Sequence, residues 1–253
     1  MNAKSSFIYP QQALAPGVHV VSTCRAGGVS KNQYASLNLG LHCGDVIEDV
    51  LINRSLLADH LSLPTDPYWL SQVHGTNIIQ QGSADEDHNQ ARQLNESADG
   101  IYTYSAGTVC AIMTADCLPL MLCDKNAKQI MAIHAGWRSV ASGIVEKAVA
   151  LFDCCAHDIR AWAGPCIGAT AFEVGSEVVK QLGGSENAYR PSENGEGRQY
   201  VNLLALVAER LSQQGVSHFA SADECTYSDE QRFFSYRRDG QTGRMATLIW
   251  KEV

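Results

Sequence analysis

No stretch of this chain is long and apolar enough to span a bilayer, and its first ten residues lack the apolar core of a secretory signal. A membrane protein and an exported one are therefore not expected, and the reading is cytoplasmic. Positive charge is also scarce. Nineteen Lys and Arg against 27 Asp and Glu give a formal charge of −8, which argues against a broad nucleic-acid surface. A few local arginines could still hold a small anion in an acidic protein. The nine cysteines include no paired CxxC, and an odd count with the adjacent pair Cys154-Cys155 fits a disulfide framework poorly. They read as thiols.

Familiar signatures are missing too. There is no Walker A loop, no GxGxxG, no GxSxG, no HxE with PCxxC pattern of the common zinc deaminases, and no repeat of solenoid period.

What is present is an ordinary globular composition, 45% hydrophobic and 18% charged, over 253 residues. The expected organisation is a single domain over 1–253. Short runs of β-branched and apolar residues predict strands at 18–23, 68–73, 108–114, 119–123, 129–134 and 245–250. Apolar residues at helical spacing predict helices at 48–61, at 139–152 with Ser139 as N-cap, and at 201–211. Two polar stretches, 82–97 and 183–199, read as surface loops. Strands in succession, without regular βαβ alternation, predict an α+β fold with mixed sheets flanked by helices.

Three clusters stand out: Gln72-Val-His74-Gly, Thr114-Ala-Asp116-Cys117-Leu-Pro and His134-Ala-Gly-Trp-Arg138. All fall at predicted strand ends or turns, where a sheet holds side chains rigidly and leaves one side open. Two imidazoles and a thiolate are a donor set zinc prefers, and three protein ligands leave a fourth position for water or substrate. The alternatives are a hydrogen-bonded structural histidine, a core cysteine, or a Cys117 nucleophile with His134 as its base. The cluster His42-Cys43-Gly-Asp45 is either a further ligand or acid, or simply a turn. Arg25 before Ala-Gly-Gly28, Arg54 and Arg138 are candidate phosphate ligands, because forked guanidinium donors and glycine turns suit anions. Arg138 just before a predicted helix is well placed for one. The segment Phe233-Phe-Ser-Tyr-Arg-Arg238 reads as core aromatics with solvent-facing arginines, and Cys166 in Gly164-Pro-Cys-Ile-Gly168 as structural.

These clusters occur in order with Arg25-Ala-Gly-Gly-Val-Ser, Ser36-Leu-Asn-Leu-Gly, Ala98-Asp-Gly, Phe172-Glu-Val-Gly, Phe234-Ser-Tyr-Arg-Arg and Gly243-Arg-Met. Together they resemble the laccase-domain family, whose members carry the labels polyphenol oxidase, purine nucleoside phosphorylase and peptidoglycan editing factor. Ser139 departs from the glycine usual there. The resemblance implies Zn2+ held by His74, Cys117 and His134, and an α+β fold similar to toxin deamidases and cysteine hydrolases. It implies phosphorolysis of adenosine, inosine, guanosine and methylthioadenosine, with some adenosine deamination. Asp99, Asp116 and Arg138 are then the candidate catalytic residues, and Arg25, Arg54 and Arg138 the phosphate ligands. The expected partners are a nucleoside and phosphate, with no nucleic acid or membrane, and the expected state is a monomer. A Cys117/His134 hydrolase acting on an amide in cell-wall precursors is the alternative, with a weak Cu2+-dependent phenol oxidase behind it. Eight histidines and no His-X-His pair make a four-copper oxidase a poor fit.

Overall fold

The computed structural model describes residues 6–82 and 93–252. Among them are fifteen strands and six α-helices. One six-stranded sheet runs β1 (Phe7–Ile8), β2 (Val18–Thr23), β15 (Met245–Lys251), β7 (Cys110–Thr114), β3 (Tyr68–Ser71) and β5 (Gln93–Ser97). The second runs β14 (His218–Ser221), β10 (Ile159–Ala163), β8 (Leu118–Asp124), β9 (Ile130–Ala135), β6 (Gly100–Thr103) and β4 (Ile78–Gln81). Both sheets are mixed: β3 runs parallel to β7 and β5, β10 to β14, and β4 to β6, while the other pairs are antiparallel. A small sheet of β11 (Glu173–Val174), β13 (Gln199–Val201) and β12 (Tyr189–Pro191) lies apart.

Side-chain alternation along the strands builds the layers. On β7, Cys110 and Ile112 join Tyr68, Leu70 and Ile249 against Met121, Cys123, Ile130, Ala132 and Trp162 of the second sheet. Ala111 and Met113 turn the other way and pack with Leu57 of helix α1 (Ile47–Leu61). On the far side, Leu118, Leu120, Leu122, Met131 and Ile133 meet α2 (Trp137–Ala141), α3 (Ile144–Ala150), α4 (Ser176–Leu182) and α5 (Leu203–Gln213). Helices thus cover both outer faces of two packed sheets, the α+β arrangement expected.

Several predicted boundaries shift for identifiable reasons. The strand expected to reach Val73 stops at Ser71, because the Val73, His74 and Gly75 N–H groups donate to a carboxylate instead of a ladder. The helix expected at 139–152 is two helices, broken at Gly143, whose φ of 88° no helix accommodates. Ser139 is not its N-cap: Gly136 holds that position, and the Ser139 Oγ is buried without a hydrogen-bond partner. Asn202 caps α5 by accepting from the Ala205 N–H, so that helix starts at Leu203 rather than Val201. The expected loop 183–199 contains β12 and the first residue of β13, a polar hairpin with no apolar alternation to announce it. Of the expected loop 82–97, residues 83–92 lie outside the described residues, and 93–97 form β5 beside β3.

Candidate metal centre and its cavity

His74, Cys117 and His134 each leave the carboxyl end of a strand. His74 follows β3, Cys117 ends the turn between β7 and β8, and His134 is the penultimate residue of β9. The β8–β9 ladder pairs Pro119 with His134 and Leu118 with Ala135, which carries Cys117 to the mouth of the same hairpin as His134. The parallel pair β3 and β7 brings His74 to that end from the facing sheet. The three donor atoms lie within 4.8 Å of one another, with Cys117 Sγ 3.8 Å from His74 Nε2. The two rings meet edge-on at 4.7 Å between centroids.

Two buried aspartates shape the turns that carry these donors. Asp99, fully buried just before β6, receives the N–H groups of Val73, His74 and Gly75 at 3.2, 2.9 and 2.6 Å. Those three bonds hold His74 at a φ of 60°, a left-handed conformation costly for a non-glycine residue. The same carboxylate accepts from His134 Nδ1 at 2.8 Å, leaving Nε2 as that ring's free nitrogen. Asp116 sits at φ 94° in the Cys117 turn. Its carboxylate accepts from Thr226 Oγ1 at 2.7 Å, Ser235 Oγ at 3.0 Å and the Arg237 N–H at 2.7 Å, tying the turn to the C-terminal segment. Gly136 keeps the centre open. A Cβ there would stand 3.0 Å from Cys117 Sγ and 3.1 Å from His74 Cδ2.

The electrostatics follow from this packing. Burial opposes charge on Cys117, but the His134 charge and hydrogen bonds from both imidazoles outweigh it and bring the thiol down to about 6. Burial likewise opposes charge on His134, yet Cys117 and Asp99 carry it up to about 9. For Asp99 burial is again the largest influence and raises the pKa, while His134 and the loop N–H groups pull it net downward. Both shifts favour the charged form of the group, thiolate at Cys117 and imidazolium at His134.

This donor set fits zinc. Metal–ligand bonds of roughly 2.0 and 2.3 Å put nitrogen and sulfur donors about 3.5 Å apart around a tetrahedral ion. The 3.8 Å separation of His74 Nε2 and Cys117 Sγ is close to that. The carboxylate behind His134 is the outer support metal-bound histidines usually have. Among the described residues no other group of His, Cys, Asp or Glu converges this way.

The centre opens on a cavity of about 430 Å³. Trp137, Ile167, Phe172 and Leu203 supply apolar lining, and His42, Arg138, Arg237 and Arg244 basic side chains among them. Of the arginines expected from sequence, Arg138 lines it, with its guanidinium 4.2 Å from the Trp137 ring centroid. Arg25 and Arg54 do not. Arg54 is 8% exposed, donates Nε and Nη2 to Leu39 O at 3.0 and 2.9 Å, and lies over Trp69; burial lowers its pKa to about 10. Arg25 donates to Ala35 O and Glu230 O and lies over Phe234. The glycine turn beside it packs rather than binds: a Cβ on Gly28 would fall 2.3 Å from Asn53 Oδ1. Of the His42-Cys43-Gly-Asp45 cluster, His42 reaches the cavity while Asp45 is bonded to Ser30 and Asn38.

Sequence reasoning missed Arg237 and Arg244. Phe233 and Phe234 are core aromatics as expected; of the arginines read as solvent-facing, Arg237 is exposed but also lines the cavity, and Arg238 folds back on Thr226, Tyr227 and Phe233 carbonyls. The available signal was the ordered pair of motifs around Phe234-Ser-Tyr-Arg-Arg and Gly243-Arg-Met. Cys166 is buried opposite Cys225 in an isolated parallel bridge, and both are free thiols.

Fold and donors define a class: an α+β protein with one His-Cys-His centre at the end of two packed sheets. Residues 19–252 match the family model described as multi-copper polyphenol oxidoreductase laccase, and the chain belongs to that family. It is 42% identical over 247 residues to the purine nucleoside phosphorylase YfiH of Shigella flexneri, covering 97% of this chain and 99% of the relative. It is 39% identical over 249 residues to the purine nucleoside phosphorylase of Haemophilus influenzae, covering 97% and 99%. Among solved structures, YlmD from Geobacillus stearothermophilus superimposes with a TM-score of 0.89 at 32% identity, covering 100% of this chain and 98% of that one. No helix among the described residues is long and apolar enough to cross a membrane.

Proposed function

We propose that the chain is a zinc-dependent purine nucleoside phosphorylase acting on adenosine, inosine, guanosine and methylthioadenosine. The observation that carries this reading is a His-Cys-His donor cluster opening on a cavity lined by both apolar or aromatic side chains and arginines. A purine needs the first kind of lining, and phosphate needs the second. The names of the Shigella and Haemophilus relatives support it.

His74, Cys117 and His134 would hold the metal, which supplies Lewis acidity and a fixed positive charge near the reacting atoms. In phosphorolysis the bond between sugar C1′ and the base nitrogen breaks as a phosphate oxygen bonds to C1′, with positive charge developing on the sugar. The protein's share is to hold the two substrates in line and to stabilise the charges. Arg138, braced on Trp137, orients the phosphate. Trp137 and Phe172 offer flat surfaces to the base. Asp99 fixes the ring of His134 and the loop of His74, and Asp116 fixes the Cys117 turn. With their oxygens occupied by these donors, both aspartates serve as positioning residues rather than proton carriers. Adenosine deamination is the finer part of the reading, tested by ammonia release from adenosine without phosphate.

A second reading rests on one observation, the placement of Cys117 beside the imidazoles of His74 and His134, which favours its thiolate when no metal is bound. In it Cys117 attacks an amide carbonyl and His134 protonates the leaving amine, on a cell-wall precursor. Metal content separates the two, because a metal-bound thiolate is not free to attack. Protein loaded with zinc that releases hypoxanthine from inosine only with phosphate supports the phosphorylase. Amide cleavage that rises as zinc is removed would support the hydrolase.

A further inference from the structure

We propose that Arg237 and Arg244, with His42 beside them, complete with Arg138 a subsite of the cavity that takes the phosphate co-substrate. The proposal deepens the phosphorylase reading and rests on it for the identity of the anion. Its basis is where arginines without a carboxylate partner gather and what claims their donors. Among the described residues Arg198, Arg210, Arg232 and Arg238 have a carboxylate partner, and Arg25, Arg54 and Arg160 give donors to main-chain carbonyls away from the cavity. Three further arginines without a carboxylate partner line one cavity, in a chain whose formal charge is −8. The one carboxylate lining it, Asp116, is occupied by two hydroxyls and the Arg237 main-chain N–H.

The side chains are also held in place. Arg237 is fixed at its backbone by Asp116 and at one end of its fork by Glu173 O at 2.7 Å, with its guanidinium 5.4 Å from the Phe172 centroid. Arg244 is fixed at its backbone by Asn38 Oδ1 and donates Nη1 to Thr242 O and Gly243 O. A guanidinium carries five N–H donors, so Nε and Nη2 of both arginines remain for a ligand. Arg138 donates to no described residue and is braced only by Trp137. The pKa of His42 is lowered, by its enclosure first and then by the charges of Arg244 and Arg54, as expected where cations gather without counter-ions. Preorganised forked donors gathered at one cavity match a phosphate dianion. Such a dianion could arrive free or as the 5′-phosphate of a nucleotide; the free ion is the co-substrate assigned here.

The test uses the zinc-loaded full chain and titrates inorganic phosphate, and separately adenosine 5′-monophosphate, by calorimetry against wild type, Arg237→Gln and Arg244→Gln. Steady-state phosphorolysis is measured with phosphate and inosine varied in turn, and thermal unfolding confirms that each variant folds. Each substitution is expected to weaken phosphate binding and raise the phosphate KM at least about tenfold, with the inosine KM within about twofold. Arg244→Lys, which keeps the charge but loses the fork, is expected to recover part of the loss. Phosphate binding unchanged in both variants, with phosphorolysis intact, would overturn the subsite and leave the phosphorylase reading standing. Phosphate binding lost in the variants of a protein that cleaves no nucleoside would support the subsite and reject the phosphorylase. Weakened binding of the nucleotide alone would overturn the assignment to free phosphate.

Discussion

The Arg25–Arg54 network and the cavity rim use the same side chain to opposite ends. In the network, main-chain carbonyls consume the guanidinium donors: Leu39 O takes two from Arg54, and Ala35 O and Glu230 O take Arg25. Asn53, the residue before Arg54 on α1, donates Nδ2 to Ser36 O and Asn38 O and to the Ser30 hydroxyl. At the rim, Arg138 donates to no described residue, and Arg237 and Arg244 are anchored through Nη1 alone, so most of their donors have no partner among the described residues. The lesson is that an arginine beside a glycine turn is a ligand-binding group only where the backbone has not already claimed its fork. Substitutions should therefore split, with chemistry lost on the site side and stability lost on the network side.

The largest effect is expected at Asp99, on the site side. Asp99→Asn keeps the shape but removes the charge that orients His134 and gathers the His74 loop. Zinc affinity should fall by roughly 10–100-fold, measured by competition with a chelating dye, and activity should fall with it at limiting zinc.

Next comes the thiol. Because Cys117 is shifted down to about 6, its thiolate persists as the pH falls from 8 to about 7 and is lost as the pH passes through about 6. In metal-stripped protein, iodoacetamide alkylation of Cys117, followed by mass spectrometry, should stay near its plateau down to about pH 7 and fall to half near pH 6. Cys110, fully buried and pushed up to about 12 by that burial, should stay unmodified throughout. Alkylation of Cys117 that declines steadily below pH 8.5, like an ordinary thiol, would break the ion-pair assignment.

On the network side, Arg54→Met should cost about 1–3 kcal/mol of stability in chemical denaturation, since Leu39 O loses its donors in a buried place. The phosphate KM should be unchanged. A raised phosphate KM in a stable Arg54→Met protein would erase the distinction between the two regions.

The smallest effect belongs to Ser139. Its buried Oγ has no partner, so Ser139→Ala should leave activity within about twofold and raise stability by up to about 1 kcal/mol.

Much of this was legible in the sequence, and the limits have physical causes. Strands with long apolar runs, β2, β7, β8, β9 and β15, announced themselves, as did α1. The strands β4, β6, β10 and β14, only four or five residues each, and the polar hairpin of β12 and β13 did not, because their pairing is fixed by neighbours far along the chain. The break at Gly143 was readable in principle, but the apolar spacing continues straight across it. At the site, residue chemistry selected His74, Cys117 and His134, and the fold brings those three donors together. The arginines were ranked by nearby glycines, a local signal. What separates Arg54 from Arg244 is whether a carbonyl elsewhere in the chain meets the guanidinium, and no local pattern encodes that.

The most direct test of the central claim is the zinc content of protein purified without added metal, measured alongside hypoxanthine release from inosine with and without phosphate. The account predicts about one zinc per chain and phosphate-dependent release, both lost in His74→Ala. A protein that turns over inosine at full rate after its metal has been removed, or that releases hypoxanthine equally well without phosphate, would contradict it.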